Sequence, residues 1–413
     1  MFKKETLKET FSSLSIRNYR LYQIGQTISN TGTWIQTIGQ SWLVLELTNS
    51  GTALGITIAL QFLPLLVIGP WGGTIADRFP KRKLLYITQT TSGFLALILG
   101  LLVVSHTAEL WMVYVLALLL GLVSAVDNPA RNTFIPEMVG KSQLLNAISL
   151  NAIQVNITRV IGPAIAASMI ATFGLGALFI CNAISYIAVI IALSMMDMSK
   201  LHTHPPVAAE RVHKQILAGF KYVRETPIIL NTLIMMAIVG TFTYEFTVSL
   251  PLLAQFTFSG DAVTYAWLSG ALGAGSVIGG LVTATRKKTG MNIYLQTSVW
   301  FGLATILLAV SPTFVTAVIV TAIVGYFAIY FLSVGNVILQ HETRPDMRGR
   351  VMALWAMAFL GTTPIGGPII GWLSDTTNPR WGLAIGGIAA LIAAWIGARA
   401  LKKAPKQETT GTV

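Results

Sequence analysis

The sequence predicts an all-α membrane protein with twelve transmembrane helices in two pseudo-symmetric six-helix bundles. Three observations carry that prediction: composition, the placement of basic residues, and an internal repeat. Of the 413 residues 54% are hydrophobic and only 11% charged, where a soluble domain carries about 25% charged. Long apolar runs recur from end to end, each close to the roughly 20 residues that a helix needs to cross about 30 Å of hydrocarbon.

Reading those runs against charged or Pro/Gly-rich breaks gives the spans in order. Span 1 (19–46) follows a Lys-rich polar segment that lacks a short apolar core and an A-x-A site, so no removable signal peptide is expected. Span 2 (52–76) opens after Ser50-Gly51 and stops at the charged run beginning with Asp77; span 3 (83–105) starts where that run ends. Span 4 (109–129) and span 5 (144–172) flank a segment holding Arg131 and Lys141, and span 6 (174–196) runs to the Asp197 linker. Span 7 (226–256), span 8 (261–285), span 9 (291–311), span 10 (313–341), span 11 (350–374) and span 12 (380–401) complete the series.

Lys and Arg stay on the cytoplasmic side of short loops. With both termini inside, every one of the 28 basic residues falls on cytoplasmic segments except Arg159, within span 5, and Arg380, in the last external loop. A wrong helix count would scatter them. The net charge of +12 is thereby explained by loops facing anionic headgroups, and a nucleic-acid partner is not expected. The predicted division is 1–196 for the N-terminal bundle, 197–225 for a cytoplasmic linker and 226–413 for the C-terminal bundle. Within the linker, Val212, Ile216, Phe220 and Val223 share a helical face away from Arg211, Lys214, Lys221 and Arg224, as in an interfacial helix. His202-x-His204 is compatible with a metal, but beside Pro205-Pro206 it reads as solvated linker, and no metal is predicted. The single Cys181 excludes an intramolecular disulfide.

The halves repeat. Pro136-Glu137-Met138-Val139-Gly140-Lys141 before span 5 recurs as Pro345-Asp346-Met347-Arg348-Gly349-Arg350 before span 11, and Ser50-Gly51 before span 2 recurs at the same offset as Ser259-Gly260 before span 8. Gly162-Pro163 has a slightly displaced counterpart in Gly367-Pro368. Parallel repeats about an axis along the membrane normal place a substrate site between the halves.

The stretch GGTIADRFPKRK, Gly72 to Lys83, resembles the loop 2/3 signature of the Major Facilitator Superfamily. Gly73, Asp77, Arg78, Arg82 and Lys83 match, while Pro80 replaces the usual second glycine. Small Gly72 and Gly73 permit close approach of a neighbour, and Asp77 can face the N-terminus of span 11, where a helix dipole favours an anion. The resemblance implies a cytoplasmic gate completed by a carboxylate at the end of span 4; Asp127, with Arg131 four residues on, holds that place. Ordinary positive-inside topology is the competing reading for Arg78 and Arg82.

Within span 5, Arg159-Val160-Ile161-Gly162-Pro163 partly resembles the Gly-Pro signature of antiporters in the superfamily, though Ala166 and Ala167 stand where a glycine pair is common. Gly162 and Pro163 are expected to kink the helix or simply to pack it. Arg159 and Glu245 are charges near the middle of their spans, and such groups mark functional sites by default. Burial penalises the charged form of Glu245, so it is the candidate for proton exchange. Arg159 is then its ion-pair partner or an anchor for an anionic group. Polar and aromatic stripes on span 1 (Gln26, Asn30, Trp34, Thr37), span 7 (Phe242) and span 10 (Tyr326, Tyr330) are expected to line a cavity, with interhelical hydrogen bonding as the alternative.

No nucleotide-binding loop is present, and no catalytic or cofactor motif stands out, so an enzyme is not expected and no cofactor is implied. From Ser12 to Gln36 and from Asp127 to Val139 the chain is similar to the drug:proton antiporter branch that includes macrolide efflux proteins and enterobactin exporters. That resemblance implies a multi-pass cytoplasmic-membrane protein, monomeric, with both ends inside, that exports an amphipathic small molecule such as a drug or siderophore against protons by alternating access. Proton-coupled uptake and a non-transporting sensor are the alternatives.

Overall fold

The structure, a computed structural model, describes residues 11–202, 212–285 and 290–403. Among the described residues it is helical, without strands. Span 1 is Arg17–Thr48, span 2 Gly51–Arg78, span 3 Lys81–Val104 and span 6 Leu175–Ser194. Spans 4 and 5 are the two arms of one run, Leu110–Phe173, that turns at Gly140, where φ is 66° and ψ 178°. Span 7 is Pro227–Phe242 followed by Phe246–Leu252, span 8 Ala262–Thr285, span 9 Met291–Ala309 and span 10 Phe314–Glu342. Span 11 is Arg348–Phe359 followed by Thr363–Thr376, and span 12 is Pro379–Lys403.

Among the described residues ten segments are long and apolar enough to cross a membrane. One of them, Leu110–Phe173, holds two crossings, and Arg17–Thr48 is long enough but too polar to be among the ten. The structure is therefore consistent with twelve crossings in a multi-pass membrane protein. Indole rings at Trp111, Trp300, Trp372, Trp381 and Trp395 are more than half exposed on the outer surface, where a bilayer rather than water would meet them.

Water gives no hydrophobic drive between helices in lipid, so close packing relies on small residues. Spans 2 and 4 meet where a methyl group on Gly121 would collide with the Gln61 carbonyl and one on Gly72 with the Ala125 carbonyl. Spans 8 and 10 repeat the device: Gly275 and Gly279 receive the carbonyls of Ala322 and Tyr326, and Gly325 receives that of Leu272. Contacts between the early and late spans run along two seams. In one, Gly51 and Gly55 of span 2 lie against Gly371 and Gly367 of span 11; in the other, Gly273 of span 8 lies against the Arg159 backbone of span 5.

The helix Val212–Glu225 packs near span 11, with Gly219 against Arg350 and the Tyr222 hydroxyl accepting from the Arg344 amide. Phe220 is half exposed while Val223 is buried. His204, Pro205, Pro206 and Arg211 lie outside the described residues, as do the side chains of Val212, Lys214 and Ile216. His202 donates its backbone N–H to the Glu137 carbonyl and sets its ring against Gly140, bracing the turn between spans 4 and 5.

Three spans differ from the sequence expectation. Span 4 does not stop at 129 but continues helically to the Gly140 turn, its charged residues Asp127, Arg131 and Glu137 finding partners inside the bundle. Spans 7 and 11 are each broken, at 243–245 and 360–362, where apolar runs alone suggested continuous helices.

Candidate functional site

A cavity of about 390 Å³ lies against spans 1, 2, 4, 5 and 7. Tyr22, Gln26, Asn30, Trp34 and Thr37 line it from span 1, Gln61 and Phe62 from span 2, Asn128, Arg131 and Asn132 from span 4, Asn151 and Val155 from span 5, and Thr247 from span 7. Its volume sits at the lower end of the about 300–1,000 Å³ common for small-molecule sites. A recess of about 30 Å³ adjoins it, sharing Thr33, Thr37, Ile58, Gln61 and Thr247 and adding Gln36, Gln40, Ser41 and Asn182. Such a volume holds about one or two waters.

Four of the expected lining residues, Gln26, Asn30, Trp34 and Thr37, face this cavity. Phe242, Tyr326 and Tyr330 do not. The break in span 7 turns Tyr244 inward, where its ring packs edge-on against Phe301 and Phe359 and its hydroxyl donates to the Ala328 carbonyl. Phe242 joins that apolar core, and Tyr326 and Tyr330 meet edge to face at 6.0 Å.

Asp127 and Arg131 lie deeper than a gate at a helix end. Asp127 is about 20 Å along the helix from the Gly140 turn at 1.5 Å per residue. Its carboxylate accepts from the Thr88 hydroxyl and the Gln89 amide of span 3 and pairs with Arg131. Arg131 in turn donates to the side-chain oxygens of Gln26 and Asn30, and Asn30 donates to Gln154 of span 5. Arg131 thereby reaches the cavity wall while Asp127 sits behind it, and a buried charge pair of this kind needs every such bond to persist.

The loop 2/3 residues brace neighbours in their own half. Gly72 seats span 4, whereas no described atom lies within 4 Å of a methyl group on Gly73. Arg82 donates to the carbonyls of Leu193 at 2.8 Å and Ser194 at 3.3 Å, capping the end of span 6 where free carbonyls favour a cation. Arg78 is exposed. Lys81 pairs with Glu137 at 3.1 Å. Asp77 is helical, and its side chain lies outside the described ones. Gly349, at the start of span 11, likewise has nothing within 4 Å. Among the described residues the contacts of spans 2 and 11 run from Gly51 and Gly371 to Leu66 and Gly361, and none reaches Gly73 or Gly349 at this end.

At the opposite end they are clasped. Asp375, closing span 11, accepts from the Gly51 amide at 2.6 Å, the Thr52 amide at 2.9 Å, the Ser50 hydroxyl at 2.8 Å and the Thr52 hydroxyl at 2.7 Å. The two amides are free donors of the N-terminus of span 2, an anion site by construction, and the two hydroxyls add to it. Gln255 adds a bond to Asn49 at 2.9 Å. The sequence reading missed Asp375, since only the packing of span 11 on span 2 makes an exposed helix-end aspartate a ligand for the Ser50-Gly51-Thr52 turn.

Glu245 sits at the break of span 7 and is 3% exposed. Its carboxyl faces Gly366 and Gly367 just after the break of span 11: a methyl group on Gly366 would lie 2.9 Å from Oε1, and one on Gly367 3.5 Å from Oε2. The Thr363 hydroxyl is its nearby polar neighbour. Arg159 does not pair with it. The Arg159 guanidinium lies 5.2 Å from the Trp34 ring centre, and among the described residues no ion pair includes it. Gly162 makes room for Trp34, since a methyl group there would meet the Trp34 Cβ, and the helix keeps its dihedrals through Pro163, departing from them only at Gly140.

Residues 8–411 match a family model described as a transmembrane secretion effector. The staphyloferrin A transporter of Staphylococcus aureus is 30% identical over 367 residues, covering 87% of this chain and 90% of that one. The multidrug efflux pump Tap of Mycolicibacterium fortuitum is 26% identical, covering 85% and 87%. An enterobactin exporter, EntS, of Escherichia coli is 26% identical, covering 84% and 82%. Among solved structures, a bacterial homolog of the lysosomal transporter Spinster, inward-facing and unoccupied, superposes with a TM-score of 0.72 over 93% of this chain and 96% of its own, at 13% identity.

Proposed function

We propose, on the premise that this chain belongs to the transmembrane secretion effector family of Major Facilitator transporters, that it exports an amphipathic small molecule of the drug or siderophore kind in exchange for protons. The observation that carries this reading is the asymmetry of the seam between spans 2 and 11, clasped through Asp375 at one end and parted at Gly73 and Gly349 at the other. With basic loops inside, the parted end is cytoplasmic, both termini are cytoplasmic, and the cavity belongs to an inward-facing state. The halves 1–196 and 226–413 rock about it, joined by the linker 197–225, and the protein works as a monomer in the cell membrane.

Glu245 carries the proton in this scheme. A carboxyl enclosed between two helix breaks is stable there when neutral, since an isolated buried charge is costly. Opening the external side would wet it and let the proton exchange. Gly73, Asp77, Arg78 and Arg82 then act in the opposite, outward-facing state, when spans 2 and 11 meet at the cytoplasmic end. Uptake by symport uses the same parts with the reverse sign.

Everted membrane vesicles separate the two. When the lumen is acidified by respiration, adding an exported compound outside should drive protons out and alkalinise the lumen, and Glu245→Gln should abolish that response. Lumen acidification on compound addition would favour symport, and an undiminished response in Glu245→Gln would remove Glu245 from the mechanism.

A further inference from the structure

We infer that the transported molecule carries an acidic oxygen group, a carboxylate or a similar anion, and that Arg159, laid over Trp34 beside the cavity, is the cation that receives it. The inference rests on the reading of the cavity as the transport path and names the chemical class it selects.

The charge balance of the wall points this way. Arg131 is neutralised by Asp127 and engaged by Gln26 and Asn30, so it offers the cavity little unmatched charge. Arg159 has no carboxylate partner among the described residues: Asp127 pairs with Arg131, and Glu245 faces the glycines of span 11. What Arg159 does hold is the face of Trp34, and Trp34 is itself part of the cavity wall. Among the described residues no group accepts a hydrogen bond from the Arg159 side chain, so its donors are available to a ligand. An arginine deep in a membrane span without a fixed counter-charge is costly, and it is explained by a counter-charge that arrives with the substrate.

The rest of the wall suits the same ligand. Asn128, Asn132 and Asn151 face the cavity and hydrogen-bond no described protein group, so their amides offer donors to further ligand oxygens. Trp34 and Phe62 supply flat apolar surface for the remainder of an amphipathic molecule. Tyr244 also lies near Arg159, and the next residue is Glu245. Anion capture at Arg159 and proton release at Glu245 therefore both bear on the break in span 7.

The test uses the full-length protein in lipid nanodiscs and matched pairs of amphipathic aryl carboxylic acids and their neutral methyl esters, naphthoate and methyl naphthoate among them. Wild type should bind the acids at least about tenfold more tightly than the esters, the scale of one hydrogen bond to a charged group. Arg159→Gln should erase that preference and Arg159→Lys should keep part of it. Equal affinity for acid and ester in wild type, a preference that survives Arg159→Gln, or a panel in which no acid binds would overturn the inference. The wild-type comparison stands even if Arg159→Gln folds poorly. Proton-coupled export of the neutral esters in everted vesicles would sink the anion assignment and leave the exporter reading intact, whereas tight acid binding without any transport would do the reverse.

Discussion

Replacing Asp375 should open the clasped end. Its carboxylate takes four hydrogen bonds of 2.6–2.9 Å from the first turn of span 2, each charge-assisted and worth about 1.5–3 kcal/mol where water is excluded. Asp375 is exposed, so water recovers most of that when the clasp opens. A net loss of roughly 2–3 kcal/mol in Asp375→Ala is therefore expected, which shifts the population of the opened form roughly 30- to 150-fold. The assay is a cysteine at Ala53, 7% exposed beneath the clasp, in a Cys181→Ser background, titrated with a membrane-impermeant maleimide from the Asp375 side. Labelling should accelerate by at least tenfold in Asp375→Ala and by less in Asp375→Asn, which keeps one acceptor oxygen. An unchanged rate in both would mean that the clasp does not hold this end shut, and the reasoning from hydrogen bonds to conformational bias would fail.

Gly275→Leu drives a side chain into the Ala322 carbonyl and should lower the melting temperature of the detergent-purified protein by several degrees, in line with about 1–3 kcal/mol for overpacking. Gly280→Leu, on the same helix with nothing within 4 Å, should leave it nearly unchanged. Asp127→Asn strands the Arg131 charge and should cost about 3–5 kcal/mol, read as lost yield of folded protein, with partial recovery in Asp127→Asn/Arg131→Gln. Asp261, outside the membrane ahead of span 8, accepts from the Thr264 amide at 2.9 Å. Although burial opposes it, bonding to Thr264 holds its carboxyl below the ordinary 3.8. A lowered folded value contributes stability that is present above the unfolded value and lost as pH falls through the folded one. Asp261→Ala should thus reduce stability by about 1 kcal/mol at neutral pH, as loss of a helix cap does, and in thermal melts the difference from wild type should begin to shrink as pH falls past 3.8 and vanish only below the lower folded value.

What could be read from the sequence was what a single helix decides alone. Apolar runs and loop charges mark the crossings because each run must satisfy the bilayer by itself, and the polar stripe Gln26-Asn30-Trp34-Thr37 was legible as a wet face for the same reason. Residues whose role depends on a partner helix were not. Asp127 looked like the end of span 4 because Asn128, Pro129 and Arg131 follow it, yet Thr88, Gln89, Gln26 and Asn30 satisfy that stretch inside the bundle. The breaks of spans 7 and 11 were marked only by polar residues inside otherwise apolar runs, Thr241, Thr243 and Glu245 in one and Thr362-Thr363-Pro364 in the other, and their meaning depends on the two spans packing on each other, with Gly240 and Gly366 against carbonyls of the facing span. Gly275 and Gly279, four apart in span 8, were a small-residue signal that the spacing alone displayed and that the reading passed over.

Distances at the two ends of the span 2 and span 11 seam test the alternating scheme most directly. Spin labels at Leu47 and Thr377 report the clasped end and labels at Phe79 and Gly349 the parted end, each pair in the Cys181→Ser background and in lipid nanodiscs. Raising pH should lengthen the first distance while it shortens the second, and Glu245→Gln should remove that response. Two distances that move together, or a pH response that persists without the Glu245 carboxyl, would contradict the account.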